Sequence, residues 1–257
     1  MENVRFDISV IIPALNEKKN IQDAIYNTLQ GLEDYGINGE IIVVNDGSTD
    51  KTGELVKEIM KKDKRVRMLT HAACRGIGAS FWTGVDQSRG NVITVIPGDN
   101  ENDPGETLRY FNLLEHVDII IPFIFNREVR PLFRNIFSFI YRFIINATFV
   151  VNFNYTNGTM LFRKQILEEL NCRNSSFFFQ TDILIRAVKR GYLFAEVPYR
   201  LGLRKEGISK ALTFPSLVKV IGGYLQLVRD YYFSNSKNIK TPFIEGSLTA
   251  KRRVKIN

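Results

Sequence analysis

Short apolar runs alternate with amphipathic stretches through the first half of the chain. Four of these runs are rich in β-branched residues and have the length of a strand, while the stretches between them repeat their apolar residues at helical spacing. Strands are therefore predicted at Ile8–Ile12, Glu40–Val44, Arg65–Thr70 and Val92–Ile96. Continuously apolar strands are typical of parallel sheets that helices cover on both faces. The pattern predicts an α/β fold built on a doubly wound, mostly parallel sheet.

The pattern changes after Leu114, where aromatic residues become frequent. A fifth strand is predicted at Val117–Pro122, and an aromatic tract with interspersed arginines follows from Arg127 to Phe153. The spacing of the apolar residues in this tract predicts one or two amphipathic helices, which either pack on the sheet or lie on a membrane surface. The later predicted elements are a turn into a strand over Thr156–Arg163, a helix at Phe179–Gly191, a strand at Phe194–Val197 and an amphipathic helix at Phe214–Phe233.

These elements predict one domain with a C-terminal extension. The domain covers residues 1–212, of which residues 1 to about 122 form one half and residues 123–212 the other. An amphipathic helix over residues 213–233 would follow it. Residues 234–257 are polar, end in a basic run and are expected to be disordered.

Composition indicates which kinds of partner the protein binds and in which cellular compartment it is expected. The chain of 257 residues has a formal charge of +8, which favours anionic partners such as phosphates, nucleic acid or acidic lipid. Its two cysteines, Cys74 and Cys172, do not have the spacing of a zinc site or a disulfide framework. The N-terminus becomes charged too early for a signal peptide. Arginines interrupt the aromatic tract before it reaches the roughly 20 apolar residues of a spanning helix, so we expect a cytoplasmic protein without a transmembrane segment.

Polar side chains follow three of the predicted strands at the point where each strand ends. Because the carboxyl ends of parallel strands meet at one edge of a sheet, these side chains are expected to form a single site. Carboxylates crowded at such an edge repel one another and require a cation nearby. The three motifs are Pro13-Ala14-Leu15-Asn16-Glu17, Asn45-Asp46-Gly47-Ser48-Thr49-Asp50 and Pro97-Gly98-Asp99-Asn100-Glu101-Asn102-Asp103.

In their order and spacing, these motifs resemble those of glycosyltransferase family 2, which has the GT-A fold. The similarity covers about Ile8–Lys210, and in its second half it is to the branch of dolichol- and polyprenyl-phosphate sugar synthases. The resemblance implies an enzyme that takes a sugar from a nucleoside-diphosphate sugar. The segments similar to that branch are Gly158–Arg163, Gln180-Thr181-Asp182 with Arg186-Ala187, Ala195-Glu196-Val197-Pro198 and the basic loop Arg204–Lys210.

The resemblance also implies roles for individual residues. It implies a divalent cation, Mg²⁺ or Mn²⁺, at Asp99 and Glu101, where the metal would neutralise the diphosphate. Pro97 stands where the family has the first Asp of an Asp-x-Asp motif, so Asp99 would act without that partner. Arg204 and Lys210 would bind phosphate. The residues implied around the nucleotide sugar are Pro13, Glu17, Asp46, Ser48, Arg75 and Asp99, with Asp46 accepting a hydrogen bond from the base.

Asp182 and Asp99 are the candidate catalytic residues. Asp182 could act as the base that deprotonates an acceptor hydroxyl in an inverting displacement. A lipid phosphate is already ionised and needs no base, and Asp182 would then orient the acceptor or help to hold the metal. A solvated helix charge without a catalytic role is the third interpretation.

The expected function is that of a metal-dependent, inverting hexosyltransferase with a polyprenyl phosphate acceptor, bound peripherally to the inner face of the cell membrane. Two alternatives stay open. The acceptor could be a hydroxyl of a surface polysaccharide or lipid-linked glycan, or the chain could be a catalytically silent nucleotide-sugar-binding protein, an alternative that Pro97 raises. Nucleic acid is not an expected partner, because the basic charge comes without a base-stacking or groove-reading motif. The sequence does not fix the oligomeric state, the nucleotide or the sugar.

Overall fold

Seven strands form one sheet in the computed structural model of the chain, which describes residues 6–170, 173–202, 214–233 and 248–254. The strands are β1 (Phe6–Ala14), β2 (Gly39–Asn45), β3 (Val66–Thr70), β4 (Gly90–Val95), β5 (Ile119–Ile124), β6 (Leu161–Arg163) and β7 (Phe194–Tyr199). In space they lie in the order β3-β2-β1-β4-β6-β5-β7.

All neighbouring strands run parallel except at β6, which pairs antiparallel with both β4 and β5. Phe162 of β6 lies opposite Ile93 of β4 and Ile119 of β5. Two successive reversals keep β5 and β7 in the same direction as β1, β2 and β4. The carboxyl ends of all strands except β6 therefore lie along one edge of the sheet, which we call the C-terminal edge. Ligands of open α/β sheets bind at such an edge.

Helices cover both faces of the sheet. On one face, Val10 and Ile12 of β1 pack with Ile25 of the first helix, and on the other face Ile11 packs with Phe81 of the third. Burial on both faces explains why Val10, Ile11 and Ile12 are apolar in succession. The buried Ser9 in the same strand donates a hydrogen bond to Oε1 of Glu40 at 2.7 Å. The helices are α1 (Ile21–Asp34), α2 (Thr52–Lys62), α3 (Ile77–Gln87), α4 (Pro104–Leu108), α5 (Leu132–Phe149), α6 (Lys164–Glu169), α7 (Phe179–Lys189), α8 (Phe214–Val228) and α9 (Leu248–Val254), with 3₁₀ turns at Phe111–Glu115 and Arg127–Val129 and a π-helical turn at Arg229–Phe233.

The doubly wound, mostly parallel sheet that the sequence predicts is confirmed, and the aromatic tract forms one helix, α5. The predicted tail differs from the structure, because α9 is helical within the residues expected to be disordered. The side chain of Thr249 in α9 donates a hydrogen bond to Oδ2 of the buried Asp118, beside β5. A buried carboxylate needs such donors, and the polar composition of the tail gives no sign of this contact.

Helices α5 and α8 expose apolar side chains. Phe137 and Phe143 of α5 are 58% and 64% exposed, and Ile221 of α8 is 57% exposed. Exposed apolar patches of this kind mark interaction surfaces. Within the described residues, each helix is too short or too polar to span a bilayer. The apolar face of α5 and α8, as we call it, consists of Leu132, Phe133, Ile136, Phe137, Phe139, Ile140, Phe143 and Ile144 together with Leu217, Val218, Ile221 and Leu225.

Candidate active site

Hydrogen bonds join the loops after β1 and β2 at the C-terminal edge. The backbone N–H of Asn16 donates to Oγ of Ser48 at 3.0 Å, and Oδ1 of Asn16 accepts from the N–H of Thr49 at 2.9 Å. The N–H of Glu17 donates to Oγ1 of Thr52 at 2.9 Å. The structure thus brings together Glu17 and Ser48, which the sequence analysis assigned to one site.

Asp46 is buried at the end of β2, where it accepts hydrogen bonds from the loop that follows β3. Its Oδ1 lies 2.6 Å from Nδ1 of His71 and accepts from the N–H of Arg75 at 2.9 Å. Its Oδ2 accepts from the N–H of Gly76 at 2.8 Å and from the thiol of Cys74 at 3.3 Å. Burial raises the pKa of Asp46, but these hydrogen bonds outweigh burial and hold its pKa below the ordinary value. The carboxylate stays ionised and holds the His71–Gly76 loop, as we call it, against β2.

These donors change the interpretation of Asp46. A carboxylate has about four acceptor positions, and four donors of this chain occupy those of Asp46. A hydrogen bond from a nucleotide base, as the sequence analysis expected, would have to displace one of them. The geometry shows that Asp46 positions the His71–Gly76 loop, and the hydrogen bond to the base stays a prediction. Gly47 allows the close approach, because it has a φ of +78° and a Cβ there would lie 2.8 Å from the carbonyl carbon of Ala73.

His71 is a residue that the sequence analysis set aside as isolated. It is buried, and its Nε2 lies 3.0 Å from Oγ1 of Thr83 while Nδ1 faces Asp46. A tautomer with a proton on Nδ1 donates to the carboxylate and accepts from the threonine hydroxyl. The signal for this pair was strand adjacency: β3 ends at Thr70, opposite Asn45, so the residues that follow both strands are neighbours.

Strand β4 leads into residues 97–103, which we call the acidic turn, and a hydrogen bond joins this turn to β1. The N–H of Gly98 donates to the carbonyl of the buried Pro13 at 3.0 Å. Asp99 is half-buried, and its Oδ1 accepts from the N–H of Glu101 at 3.1 Å. Asn100 between them has a φ of +56°, a backbone conformation that asparagine tolerates better than most residues. Pro13 and Asp99 therefore lie at the same edge as Glu17 and Ser48.

The donor set of the acidic turn fits a metal ion that arrives with a diphosphate. In the part of the chain that the structure describes, no group of three or more His, Cys, Asp or Glu side chains is placed to hold a metal. Mg²⁺ bound with substrate phosphates needs only one or two protein carboxylates, because phosphate and water oxygens complete its coordination. Among the described residues, Oδ1 of Asp99 accepts from the N–H of Glu101, and Oδ2 would be the oxygen that meets a metal. Glu101 is half-buried two residues on.

A cavity of about 30 Å³ lies beside the acidic turn, lined by Asn102, Tyr199, Tyr155 and Arg130 among others. The guanidinium of Arg130 lies 5.9 Å from the centre of the Tyr155 ring, and its Nε is buried without a hydrogen-bond partner in the described residues. A buried donor without a partner costs free energy, so this arrangement indicates that an anion or a water binds there. Arg130 was noted in the sequence as part of the aromatic tract and was not assigned to the site.

Asp182 lies in the first turn of α7 and is buried in an ion pair. Nε of Arg186 donates to Oδ1 of Asp182 at 2.7 Å. The two preceding residues hold the segment before β6, since the N–H of Gly158 donates to Oε1 of Gln180 at 2.9 Å and Oγ1 of Thr181 donates to a carbonyl of that segment. Gly158 also lines the cavity. The first turn of α7 is thereby connected to the cavity wall.

The remaining predicted residues differ in how far the structure describes them. Arg204 and Lys210 lie outside the described residues. Arg75 is exposed, and its backbone N–H is one of the donors to Asp46.

Comparison with known proteins identifies related sequences. The family model of glycosyl transferase family 2 matches residues 9–171. Dolichol-phosphate mannosyltransferase of Pyrococcus furiosus is 27% identical over 218 residues, which cover 79% of this chain and 58% of that protein. Polyprenol monophosphomannose synthase of Mycolicibacterium smegmatis is 28% identical over 223 residues, covering 78% of this chain and 79% of that protein. The chain thus spans little more than half the length of the Pyrococcus relative.

Solved structures share the fold. Glucosyl-3-phosphoglycerate synthase of Mycobacterium tuberculosis, in complex with Mn²⁺, UDP and phosphoglyceric acid, matches with a TM-score of 0.66 at 18% identity, covering 87% of this chain and 78% of that one. The same enzyme with Mg²⁺ and UDP matches with a TM-score of 0.65. These likenesses confirm the GT-A fold that the sequence resemblance implies.

Substitution of His71 tests the network around Asp46. His71→Ala removes a donor from a buried carboxylate, and we expect the free energy of unfolding to fall by about 1–3 kcal/mol. The measurement is urea denaturation followed by circular dichroism. His116→Ala is the matched control, since His116 is exposed and a surface substitution changes stability by about 0.5 kcal/mol or less. Equal midpoints for the wild type and His71→Ala would show that the network does not hold the loop.

Proposed function

The chain belongs to glycosyl transferase family 2, and we propose that it transfers a sugar from a nucleoside-diphosphate sugar to a polyprenyl phosphate at a membrane surface. The observation on which this rests is the position of the apolar face of α5 and α8. The face begins at Leu132, two residues after Arg130, whose buried Nε has no partner in the described residues. A lipid chain lying along α5 would bring its phosphate to this guanidinium.

The donor is proposed to bind at the C-terminal edge between the ends of β1, β2 and β4. In support, the loop after β1, the His71–Gly76 loop and the acidic turn are all fixed there by hydrogen bonds to backbone groups. Fixed loops spare the ligand the entropy cost of ordering them on binding. We assign residues 1–122 to this donor half and residues 123–212 to the acceptor half.

We further propose that transfer depends on Mg²⁺ or Mn²⁺ held by Asp99, with Glu101 as a second carboxylate. When bound, the cation neutralises charge on the diphosphate that leaves. The structures of glucosyl-3-phosphoglycerate synthase with Mn²⁺ or Mg²⁺ and UDP support this choice of metal. Pro97 restricts the protein ligands to fewer carboxylates than the family pattern has, so we expect metal and nucleotide to bind as one unit.

The proposed step is an inverting displacement. An oxygen of the acceptor phosphate forms a bond to the anomeric carbon of the sugar, while the bond from that carbon to the diphosphate breaks and the diphosphate leaves with its electron pair. The acceptor oxygen is already ionised, so no side chain has to remove a proton. Arg130 would hold the acceptor phosphate by charge-assisted hydrogen bonds and orient it towards the donor.

This chemistry gives Asp182 a role other than that of a general base. Its Oδ1 already accepts a hydrogen bond from Nε of Arg186 at 2.7 Å, and the ionised acceptor phosphate has no proton that a base would have to remove. We propose that Asp182 orients the acceptor side of the site. Arg204 and Lys210 are proposed as further phosphate-binding residues by family resemblance alone.

A transfer assay tests the acceptor. Purified protein is incubated with Mn²⁺, a panel of labelled UDP-, GDP- and TDP-sugars, and polyprenyl phosphate in lipid vesicles. We expect labelled lipid with polyprenyl phosphate and none with the free polyprenol, because the alcohol lacks the ionised nucleophile. Arg130→Gln should raise the acceptor KM about tenfold and leave the donor KM unchanged. Arg173→Gln, which alters a cation of an exposed ion pair with Asp86, serves as the control.

Two other results would contradict the proposal. Transfer to a glycan hydroxyl, with none to polyprenyl phosphate, would assign the enzyme to the other acceptor class. Donor binding without transfer or hydrolysis under any acceptor would identify a silent binding protein.

Vesicle binding tests the proposed membrane contact. We expect the protein to co-sediment with phosphatidylglycerol vesicles, and the double variant Phe137→Ser/Phe143→Ser to bind at least about tenfold more weakly because two apolar side chains no longer enter the interface. Tyr26→Ser, at an exposed position of α1, should bind as the wild type does. Equal binding by the double variant would show that the apolar face of α5 and α8 does not contact lipid.

A further inference from the structure

Arg186 joins two carboxylates that come from separate parts of the chain. Its Nε lies 2.7 Å from Oδ1 of Asp182 on α7, and its Nη2 lies 2.8 Å from Oδ2 of Asp230 in the π-helical turn after α8. The Arg186 and Asp182 side chains are 7% and 4% exposed and that of Asp230 is 22% exposed. A planar guanidinium can hold two partners in fixed directions, which an ammonium group does less well.

Helix α8 packs closely against the start of α7 and so holds the π-helical turn with Asp230 near α7. A Cβ on Gly223 would lie 2.9 Å from Cδ1 of Phe178 and 2.6 Å from Nδ2 of Asn174, so glycine allows the close approach. Leu227, one turn later, is completely buried. The opposite side of α8 contributes to the apolar face of α5 and α8.

A second contact connects α7 with α5. The hydroxyl of Tyr141 in α5 lies 2.8 Å from Oγ1 of Thr181, the residue before Asp182. The side chain of Gln180 is bonded in turn to Gly158 of the cavity wall. Asp182 is therefore surrounded by elements that belong both to the acceptor side and to the exposed apolar face.

We propose that Asp230 is a positioning residue: it fixes the guanidinium of Arg186 and, through it, the carboxylate of Asp182 at the acceptor side of the site. The inference rests on the proposed glycosyl transfer and adds to it a role for the segment after α8. Without Asp230, Arg186 loses one of the two carboxylates that hold it among the described residues, and it then fixes the orientation of Asp182 less tightly. Small displacements of an orienting group reduce turnover much more than they reduce donor binding.

Steady-state kinetics with Asp230→Asn tests the proposal, because the substitution removes the charge with little change in size. We expect kcat for transfer to fall about tenfold with the donor KM unchanged. Asp230→Glu restores the carboxylate and should recover most of kcat. Arg229→Gln is the matched control, since Arg229 is 72% exposed and contacts the same carboxylate at 3.6 Å; its kcat should equal that of the wild type.

A purely stabilising ion pair gives a different result. In that case Asp230→Asn lowers the melting temperature, but kcat per folded molecule, measured well below the melting temperature, equals that of the wild type. That outcome would overturn the proposal. If Asp230→Asn does not fold, Arg186→Lys keeps the charge while losing the two-directional contact, and the same loss of kcat is expected; wild-type kcat in Arg186→Lys would contradict the proposal.

The variants and the wild type are compared in transfer to whichever acceptor the wild type uses, whether a lipid phosphate or a glycan. Failure of the wild type on polyprenyl phosphate therefore overturns the proposed acceptor only. Equal kcat in the wild type and the variants overturns the role of Asp230 only.

Discussion

The organisation of the site depends on satisfying buried charge where parallel strands end. Asp46 is 4% exposed at the end of β2, and an ionised carboxylate in that position is stable only if several donors reach it. The donors come from the His71–Gly76 loop, which the carboxylate thereby fixes against the end of β2. Separate hydrogen bonds join the loop after β2 to the loop after β1 and join the acidic turn to Pro13 of β1.

On the proposed acceptor side the buried charge is positive, and carboxylates satisfy it. Arg186 is the buried cation there, and it draws together Asp182 of α7 and Asp230 of the segment after α8. Arg130 differs, since its buried Nε has no partner among the described residues and its cavity opens beside the acidic turn. Arg186 thus connects elements of the fold around Asp182, while Arg130 keeps its Nε for a ligand and donates to the hydroxyl of Tyr155 through Nη1 and Nη2 at 3.5 and 3.4 Å. This contrast supports a positioning role for Arg186 and a binding role for Arg130.

The hydrophobic pattern along the chain was sufficient to predict the strands that follow it closely. The β1, β2 and β4 runs are mostly apolar, are buried on both faces and end at polar motifs, so both the sheet and its functional edge could be predicted. The short β6 was predicted, but its antiparallel direction depends on where the chain returns to the sheet, which periodicity does not encode. His71, Arg130 and Asp230 were missed as partners because each one meets its neighbour through tertiary contacts. The helix α9 was missed because one hydrogen bond from Thr249 anchors a segment whose composition is typical of disorder.

The claim that a diphosphate and a metal meet at Asp99 is central to this account, and calorimetric titration of UDP and GDP with and without Mn²⁺ tests it most directly. Asp103→Asn provides a control in the same turn, because Asp103 caps α4 through the N–H of Gly105 and asparagine caps equally well. We predict that Mn²⁺ tightens nucleotide binding about tenfold or more in the wild type and in Asp103→Asn, and that Asp99→Asn abolishes this gain. An undiminished effect of Mn²⁺ in Asp99→Asn would contradict the account.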